Sequence, residues 1–364
     1  MPDRRKTDPP KESDIMHKKI CGLLLCAALL CMLLAGCSGS QPVYKVAMVT
    51  DGGAVSDNHL NNTVWLALQA LNEEYGVDYT YYRPDTNDTA GFLEGVDTLT
   101  ENGYDLILFP GSLFSEAFEE ACARYPACTF IAVDCNPETV PSNGAAAVFD
   151  KSQAGFLAGY AAALELENTR FGGVFGSDDP SARELLSGFL QGVDQARVDQ
   201  GVMVSDAAED FVFLNDRTDY PLGQQTAATL FEQGVSCLLV SSDSTGLGAL
   251  AEARTRRQAG DQAVWAVCSD ADGHITARYD AENDLSAALT TALCDYEKAA
   301  YDLVSKLLEG DTSLLGRATV FDLTSGGVGL PEENPALSES TVKACAEAAE
   351  KIQSGAIVIA NTIQ

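Results

Sequence analysis

The chain has 364 residues, with 23 Lys and Arg against 53 Asp and Glu, a formal net charge of −30. A surface of that sign is a poor partner for nucleic acid, whose phosphates demand cations. It mainly confers solubility, because the charge is spread along the whole length rather than gathered in a tail.

A short basic stretch at His17, Lys18 and Lys19 leads into an apolar run from Ile20 to Ala35, which stops at Leu34-Ala35-Gly36-Cys37. The run is shorter than the roughly 20 residues a spanning helix needs, and a polar SGSQP stretch follows, so residues 1–36 read as a signal peptide. Translation is expected to start at Met16, because the fifteen residues before it are polar and of mixed charge. LAGC resembles the bacterial lipobox, which makes Cys37 the expected lipidated N-terminus and residues 37–42 a tether. The mature chain then carries 17 basic and 49 acidic residues, a charge of about −32.

Of eleven cysteines, seven remain beyond Cys37, at 122, 128, 135, 237, 268, 294 and 345. An odd number argues against a complete disulfide framework, although Cys122 and Cys128 could pair. Cys135, Cys237 and Cys268 lie in or beside apolar strand-like runs, where a thiol acts as a small hydrophobe. With His59 and His274 as its histidines and no CxxC, the mature chain offers no zinc site, and no metal or other cofactor is expected. Asp270, Asp272 and His274 supply too few oxygens for calcium.

The remaining length, about 325 residues, exceeds what one core usually serves, so two domains are expected. Strands are predicted at 44–50, 79–82, 105–109, 129–133, 146–149, 171–175, 211–214, 237–241 and 264–268, several as continuous apolar runs suited to sheets covered on both faces. Between them, i, i+3, i+4 apolar spacing predicts helices near 57–74, 89–102, 115–124, 152–167, 181–198, 222–233, 246–259 and 293–309. Gly76, Gly103 and Gly234 fall just past helix ends, where a positive φ is wanted. This alternation implies an α/β fold with parallel sheets. Its lobes are expected at 43–148 with about 274–310, and at 149–273 with about 311–364.

Ligands of open parallel sheets collect beyond the carboxyl ends of the strands. The polar loops there are DGGAVSDNHLNN, DCNPE, GSDDPS, SDSTGLG and SDADG, rich in groups that hydrogen-bond a hydroxylated or amide-bearing small molecule. Ser56 or Asp57 is placed to cap the first helix. STGLG lacks the Lys of a phosphate loop, and is better suited to a close backbone approach to ligand or to plain capping. His59 reads as a helix-surface or pocket-rim residue, and GGVGL as a closing turn. No GxSxG is present and neither His has a companion motif, so no enzyme is expected.

From about Tyr44 onward the chain resembles the basic membrane protein family of lipoproteins. KVAMVTDGGAVSDNHLNN, DLILFPG, ACARYPACTFIAVD, FDKSQAGFLAGYAAAL, FGGVFGSDDPSARELLSGFLQGV, STGLG, SDAD and FDLTSGGVGL carry the likeness, in the family's order. The resemblance implies a type I periplasmic-binding-protein fold of two Rossmann-like lobes with a hinge. It also implies a purine-nucleoside-like ligand and an extracytoplasmic, lipid-anchored solute-binding protein that serves an ABC permease, expected as a monomer. The alternative is a lipoprotein whose closure signals to a membrane receptor or regulator.

By position the resemblance assigns ligand contacts to Asp51, Asn61 at a base edge, Asp134 at the base, Asp270 at ribose hydroxyls and Ser244 through its backbone. Leu60 and Leu185 stand where the family has stacking aromatics, and the family's ribose-side lysine, expected near Thr291 and Ala292, is missing. Replacing Asp270 by Ala is expected to abolish ribosyl binding and leave the melting temperature within a few degrees.

Overall fold

The structure is a computed structural model that describes residues 44–56, 60–166, 169–202 and 210–360. The leader, Cys37, Asp57 and His59, and the expectations attached to them, lie outside the described residues.

The first lobe opens with β1 (Lys45–Val49), α1 (Leu60–Tyr75), β2 (Asp78–Tyr82), α2 (Thr89–Glu101) and β3 (Leu106–Pro110). A 3₁₀ turn (Ser112–Phe114), α3 (Ser115–Arg124), β4 (Thr129–Val133) and β5 (Gly144–Phe149) follow. The second lobe holds α4 (Lys151–Glu165), β6 (Phe171–Phe175), α5 (Pro180–Asp199), β7 (Phe211–Phe213), α6 (Tyr220–Glu232), β8 (Cys237–Val240), α7 (Ser244–Gln258) and β9 (Trp265–Asp270). The chain goes on through β10 (Arg278–Asp280), β11 (Leu285–Ser286), β12 (Ala288–Cys294), α8 (Tyr296–Leu308), β13 (Arg317–Phe321), β14 (Val328–Gly329) and α9 (Glu339–Gln353).

The large sheets run β13-β5-β4-β3-β1-β2 and β14-β12-β9-β8-β6-β7, and β14 is the antiparallel member. With the first strand of each order set aside, β5-β4-β3-β1-β2 and β12-β9-β8-β6-β7 are the same topology. Strand faces follow the two-residue period. Val46 and Met48 turn to one core and Ala47 and Val49 to another, as do Cys237 and Leu239 against Leu238 and Val240. One apolar cluster runs unbroken through both lobes on the side of the crossings, while the other two each belong to one lobe.

Three segments cross between lobes: β5 into α4, β12 into α8, and β13 into β14. α4 packs along α5, whereas α8 packs on α1, β4 and β5. This corrects the expected lobe boundaries. Residues 274–294 stay in the second lobe, because β12 pairs with β9 from Ala288 to Leu293, and 296–321 return to the first, where β13 pairs with β5. β12 reads ALTTALC, a mix of Ala, Thr, Leu and Cys with no Val or Ile, and its end merges in sequence with the helix that follows. α9, with an interrupted apolar stripe, was not expected either.

Six helices begin at an aspartate whose carboxylate accepts an amide of the first turn: Asp88, Asp150, Asp179, Asp219, Asp243 and Asp295. Each such cap is worth about 1 kcal/mol, so part of the acidity is structural. Gly76, Gly103 and Gly234 take the expected positive φ, at 69°, 79° and 92°. α4 and α5 meet so closely that a Cβ on Gly192 would lie 2.0 Å from the Phe156 carbonyl oxygen, and one on Gly159 2.1 Å from that of Phe189. Side chains at either place would force the helices apart.

Candidate ligand cleft

The fold puts the strand-order reversal between β1 and β3 in one lobe and between β6 and β8 in the other, the places where open α/β sheets leave a crevice. At the first reversal Asp51 Oδ1 accepts the Gly53 amide at 3.1 Å and the Asn61 side-chain amide at 2.5 Å. Asn61 is buried, and among the described residues its Oδ1 has no hydrogen-bond partner, nor has Oγ1 of the buried Thr50, which follows β1. Leu60, half-buried, sets a methyl group against Gly111 after β3. Asp51, Leu60 and Asn61 are therefore brought together, with Asn61 bonded to Asp51 rather than open to the cleft.

At the second reversal the expected STGLG loop is helix. Ser244 is the first residue of α7, and Asp243 caps it, taking the Gly246 amide and the Ser241 hydroxyl, each at 2.9 Å. The hydroxyl of this loop that reaches a candidate acid belongs to Ser242, 2.5 Å from Asp270 Oδ2. Leu185 is buried in the core of the second lobe, and its carbonyl lies over Gly155 in the α4–α5 contact. Glu184 beside it is partly buried, and its carboxyl is pushed up by burial and by Asp150.

Asp134 follows β4 and Asp270 ends β9, equivalent strands of the two sheets, and both take left-handed backbone at φ 54° and 67°. That conformation is uncommon outside glycine, and Asp and Asn tolerate it best. Their carboxylates converge on two side chains the sequence reading passed over. Lys151 Nζ donates to Asp134 Oδ2 at 3.0 Å and to Asp270 Oδ1 at 2.9 Å, and the Tyr296 hydroxyl lies 2.9 and 2.7 Å from the same two oxygens, sharing its one proton between them. The four side chains form a closed square, two corners from each lobe.

Burial opposes the charge of Lys151, but Asp134 and Asp270 outweigh it and hold the ammonium well above the ordinary lysine range. Burial likewise opposes the charge of Asp270, and Lys151, Ser242 and Tyr296 overcome it, lowering its carboxyl to about 2. Asp134 lies above the ordinary range, because burial and the charge of Asp270 exceed the pull of Lys151. Oδ1 of Asp270 takes two donors and Oδ2 takes Ser242 and, at 3.4 Å, Ser269, so little acceptor capacity is left. Asp134 Oδ1 accepts no hydrogen bond among the described residues, and 18% of the side chain is exposed.

Thr291 and Ala292, where the family's lysine was sought, are buried in β12, and Thr291 Oγ1 accepts the Gly273 amide at 3.1 Å. A lysine reaches Asp270 from another strand end instead. The available signal was Lys151 in the first turn of a helix, the end where a cation is disfavoured and has to be held by acids. FDK before α4 and CDY before α8 are the same device, a crossing strand, an aspartate cap and a long polar side chain.

The family described as ABC transporter substrate-binding protein PnrA-like matches residues 44–362. Two of the known proteins this chain is similar to cover most of its length. A CD4+ T-cell-stimulating antigen of Listeria monocytogenes is 27% identical over 88% of this chain and 89% of its own length. An ABC transporter nucleoside-binding protein, BmpA, of Lactococcus lactis is 24% identical over 94% and 99%. Among solved structures, an ABC transporter solute-binding protein of Aeropyrum pernix superposes with a TM-score of 0.72 at 21% identity, covering 88% of this chain and 94% of that one.

Proposed function

Because the chain belongs to the PnrA-like family of ABC transporter substrate-binding proteins, we propose that it is a lipid-anchored extracytoplasmic receptor which delivers a nucleoside or a related small polar compound to an ABC importer. The observation that carries this reading is the convergence of Asp134 and Asp270 on one point between the lobes, from equivalent strand ends. A site assembled from both lobes forms fully only when they are together, so ligand binding favours the closed shape a permease reads.

The nucleoside-binding relative supports the ligand class. Here Asp51 and Asp134 would accept from base or sugar donors, while Leu60 gives an aliphatic wall where a ring would stack. Asp270 acts on ligand hydroxyls if they displace Ser242, and otherwise holds Lys151 and Tyr296 in place. Ser244 would contribute its backbone at the start of α7. Leu185 supports the second lobe from within its core. Cys37 carries the anchor, and the receptor acts as a monomer that changes the shape of its ligand's carrier and not the ligand's covalent structure.

A thermal-shift screen of the chain from Ser38 onward, against nucleosides, free bases, sugars and amino acids, tests the ligand class. A ligand bound only by the folded state adds about 2.7 kcal/mol at 100 times its dissociation constant. A rise with adenosine, guanosine or inosine is expected, and a rise confined to another class overturns the nucleoside assignment. Loss of membrane association on Cys37→Ala tests the anchor.

A further inference from the structure

Away from the crossings, Arg217 of the second lobe reaches the first. Arg217 lies in the loop between β7 and α6. One Nη pairs with the Asp179 carboxylate in its own lobe, and the other donates to the Ser112 hydroxyl at 3.4 Å, in the turn after β3 of the first lobe. We propose that Asp179, Arg217 and Ser112 form a latch that holds the lobes together at the mouth of the cleft, with Arg217 as the positioning residue that sets the balance between open and closed receptor.

The second-lobe half of the latch is preformed. The Asp216 carbonyl accepts the hydroxyl of Thr245, a fully buried residue of α7. The Asp216 carboxylate ties the Thr218 and Asp219 amides at 2.8 and 3.2 Å, so the backbone on both sides of Arg217 is fixed. Asp179 is itself held as the cap of α5, accepting the Ala182 amide at 2.9 Å and the Ser177 hydroxyl at 2.6 Å. Arg217, Ser177 and the Ala182 amide outweigh burial and keep its carboxyl below the ordinary range. A cation with an anchored counter-ion is therefore aimed at the first lobe, where a single neutral hydroxyl meets it.

Leverage makes this contact sensitive to opening. Asp179 follows β6, three strands from the crossing strand β12, and Ser112 follows β3, two strands from the crossing strand β5. At about 4.8 Å per strand the Arg217 contact stands on the order of 10–14 Å from the pivot, whereas the square of Lys151, Tyr296, Asp134 and Asp270 sits beside it. A small rotation that leaves the square intact separates Arg217 from Ser112. Being long, exposed on one side and made to a neutral hydroxyl, the contact is weak enough to form and break in each cycle.

The proposal rests on the reading that closure of this cleft accompanies ligand binding, and its test has an arm without ligand. Small-angle scattering on ligand-free wild type, Arg217→Ala and Ser112→Glu is expected to give a larger radius for Arg217→Ala and an equal or smaller one for Ser112→Glu, which offers Arg217 a carboxylate. With inosine or adenosine as probe, Arg217→Ala is expected to weaken apparent affinity about two- to five-fold, mainly through faster dissociation, and Ser112→Glu to strengthen it, because affinity scales with the fraction of competent molecules. Identical radii for all three proteins overturn the latch. So does an affinity change without a change in radius, since Arg217 would then touch the ligand directly. Altered radii with no nucleoside bound by any variant would uphold the latch and remove the nucleoside reading. Ser112→Glu alters an exposed turn residue, so its result stands even if Arg217→Ala folds poorly.

Discussion

Lys151 and Tyr296 occupy equivalent places in the two halves of the molecule. Each is the first residue of a helix entered directly from a crossing strand, each follows an aspartate cap, and each bonds both Asp134 and Asp270. One of the two acids lies in the residue's own lobe and the other across the pivot. The square therefore ties the lobes together at the point where they move least.

Lys151→Met should destabilise the protein by about 3–5 kcal/mol, because it leaves two buried carboxylates facing each other without a counter-charge. Adding Asp134→Asn to that variant should recover part of the loss by removing the repulsion. Asp270→Ala leaves Lys151 half-compensated and Ser242 without its acceptor, so its melting temperature should fall clearly, against the expectation from sequence of a shift of only a few degrees. Denaturant melts of the four proteins check this, and a Lys151→Met loss below about 1 kcal/mol would show that the square does not stabilise the fold.

The stability difference between wild type and Lys151→Met should depend on pH at both ends. Asp270 titrates at about 2 when folded and near 3.9 when unfolded, so its contribution is complete above about pH 4 and is lost as pH falls toward 2. Asp134 is raised and works the other way, favouring the folded state slightly as it takes up a proton. Lys151 is raised above its unfolded value near 10.4, so its contribution is complete below that pH and is lost in stronger alkali. Melting curves from pH 2 to 11 should show the gap widest between about pH 5 and 9, and a gap of constant size would contradict the pairing.

Gly192→Ala should cost about 1–3 kcal/mol, since its Cβ would meet the Phe156 carbonyl at 2.0 Å and the two helices cannot separate without moving Lys151. Gly329→Ala, where the same atom meets nothing within 4 Å, is the control and should stay within about 0.5 kcal/mol. Equal effects at the two positions would mean that the close approach is not a packing constraint.

All seven described cysteines are free thiols, Cys122 and Cys128 included. Burial pushes Cys122, Cys268 and Cys345 up to about 12 and Cys135 to about 11. As the thiolate is the reactive form, a thiol reagent at pH 8 should label the native protein slowly and seven positions rapidly after denaturation, Cys37 being absent from the soluble form. Fast labelling of several thiols in the native protein would contradict the burial.

The sequence was most informative where one physical signal dominated. The nine predicted strands and eight predicted helices are all present, because apolar runs buried on both faces and i, i+4 stripes are local patterns. β12 and β13 escaped notice for different reasons: one is a mix of Ala, Thr, Leu and Cys with no Val or Ile, and the other is an edge strand with Arg317, Ala318 and Val320 exposed. For the site, the loops at strand ends located Asp51, Asp134 and Asp270. Lys151 and Tyr296 were hidden because their partners lie 17 to 162 positions away in sequence, a pairing no local pattern carries. Ser244 was assigned by its position in the resemblance, whereas the reach of Ser242 to Asp270 follows from where Asp243 starts α7, which composition does not carry.

The threading of the three crossings also fixes when each lobe becomes complete. The first lobe's sheet waits for Arg317–Phe321 beside β5, and α1 waits for Tyr296–Leu308 to cover it, so neither is finished until the ribosome has made almost all of the second lobe. A nascent chain released through residue 150 exposes the bare edge of β5 and lacks the helix that closes its core. Unlike domains that complete as contiguous units, the first lobe therefore gains its last strand and the helix that covers α1 only late in synthesis.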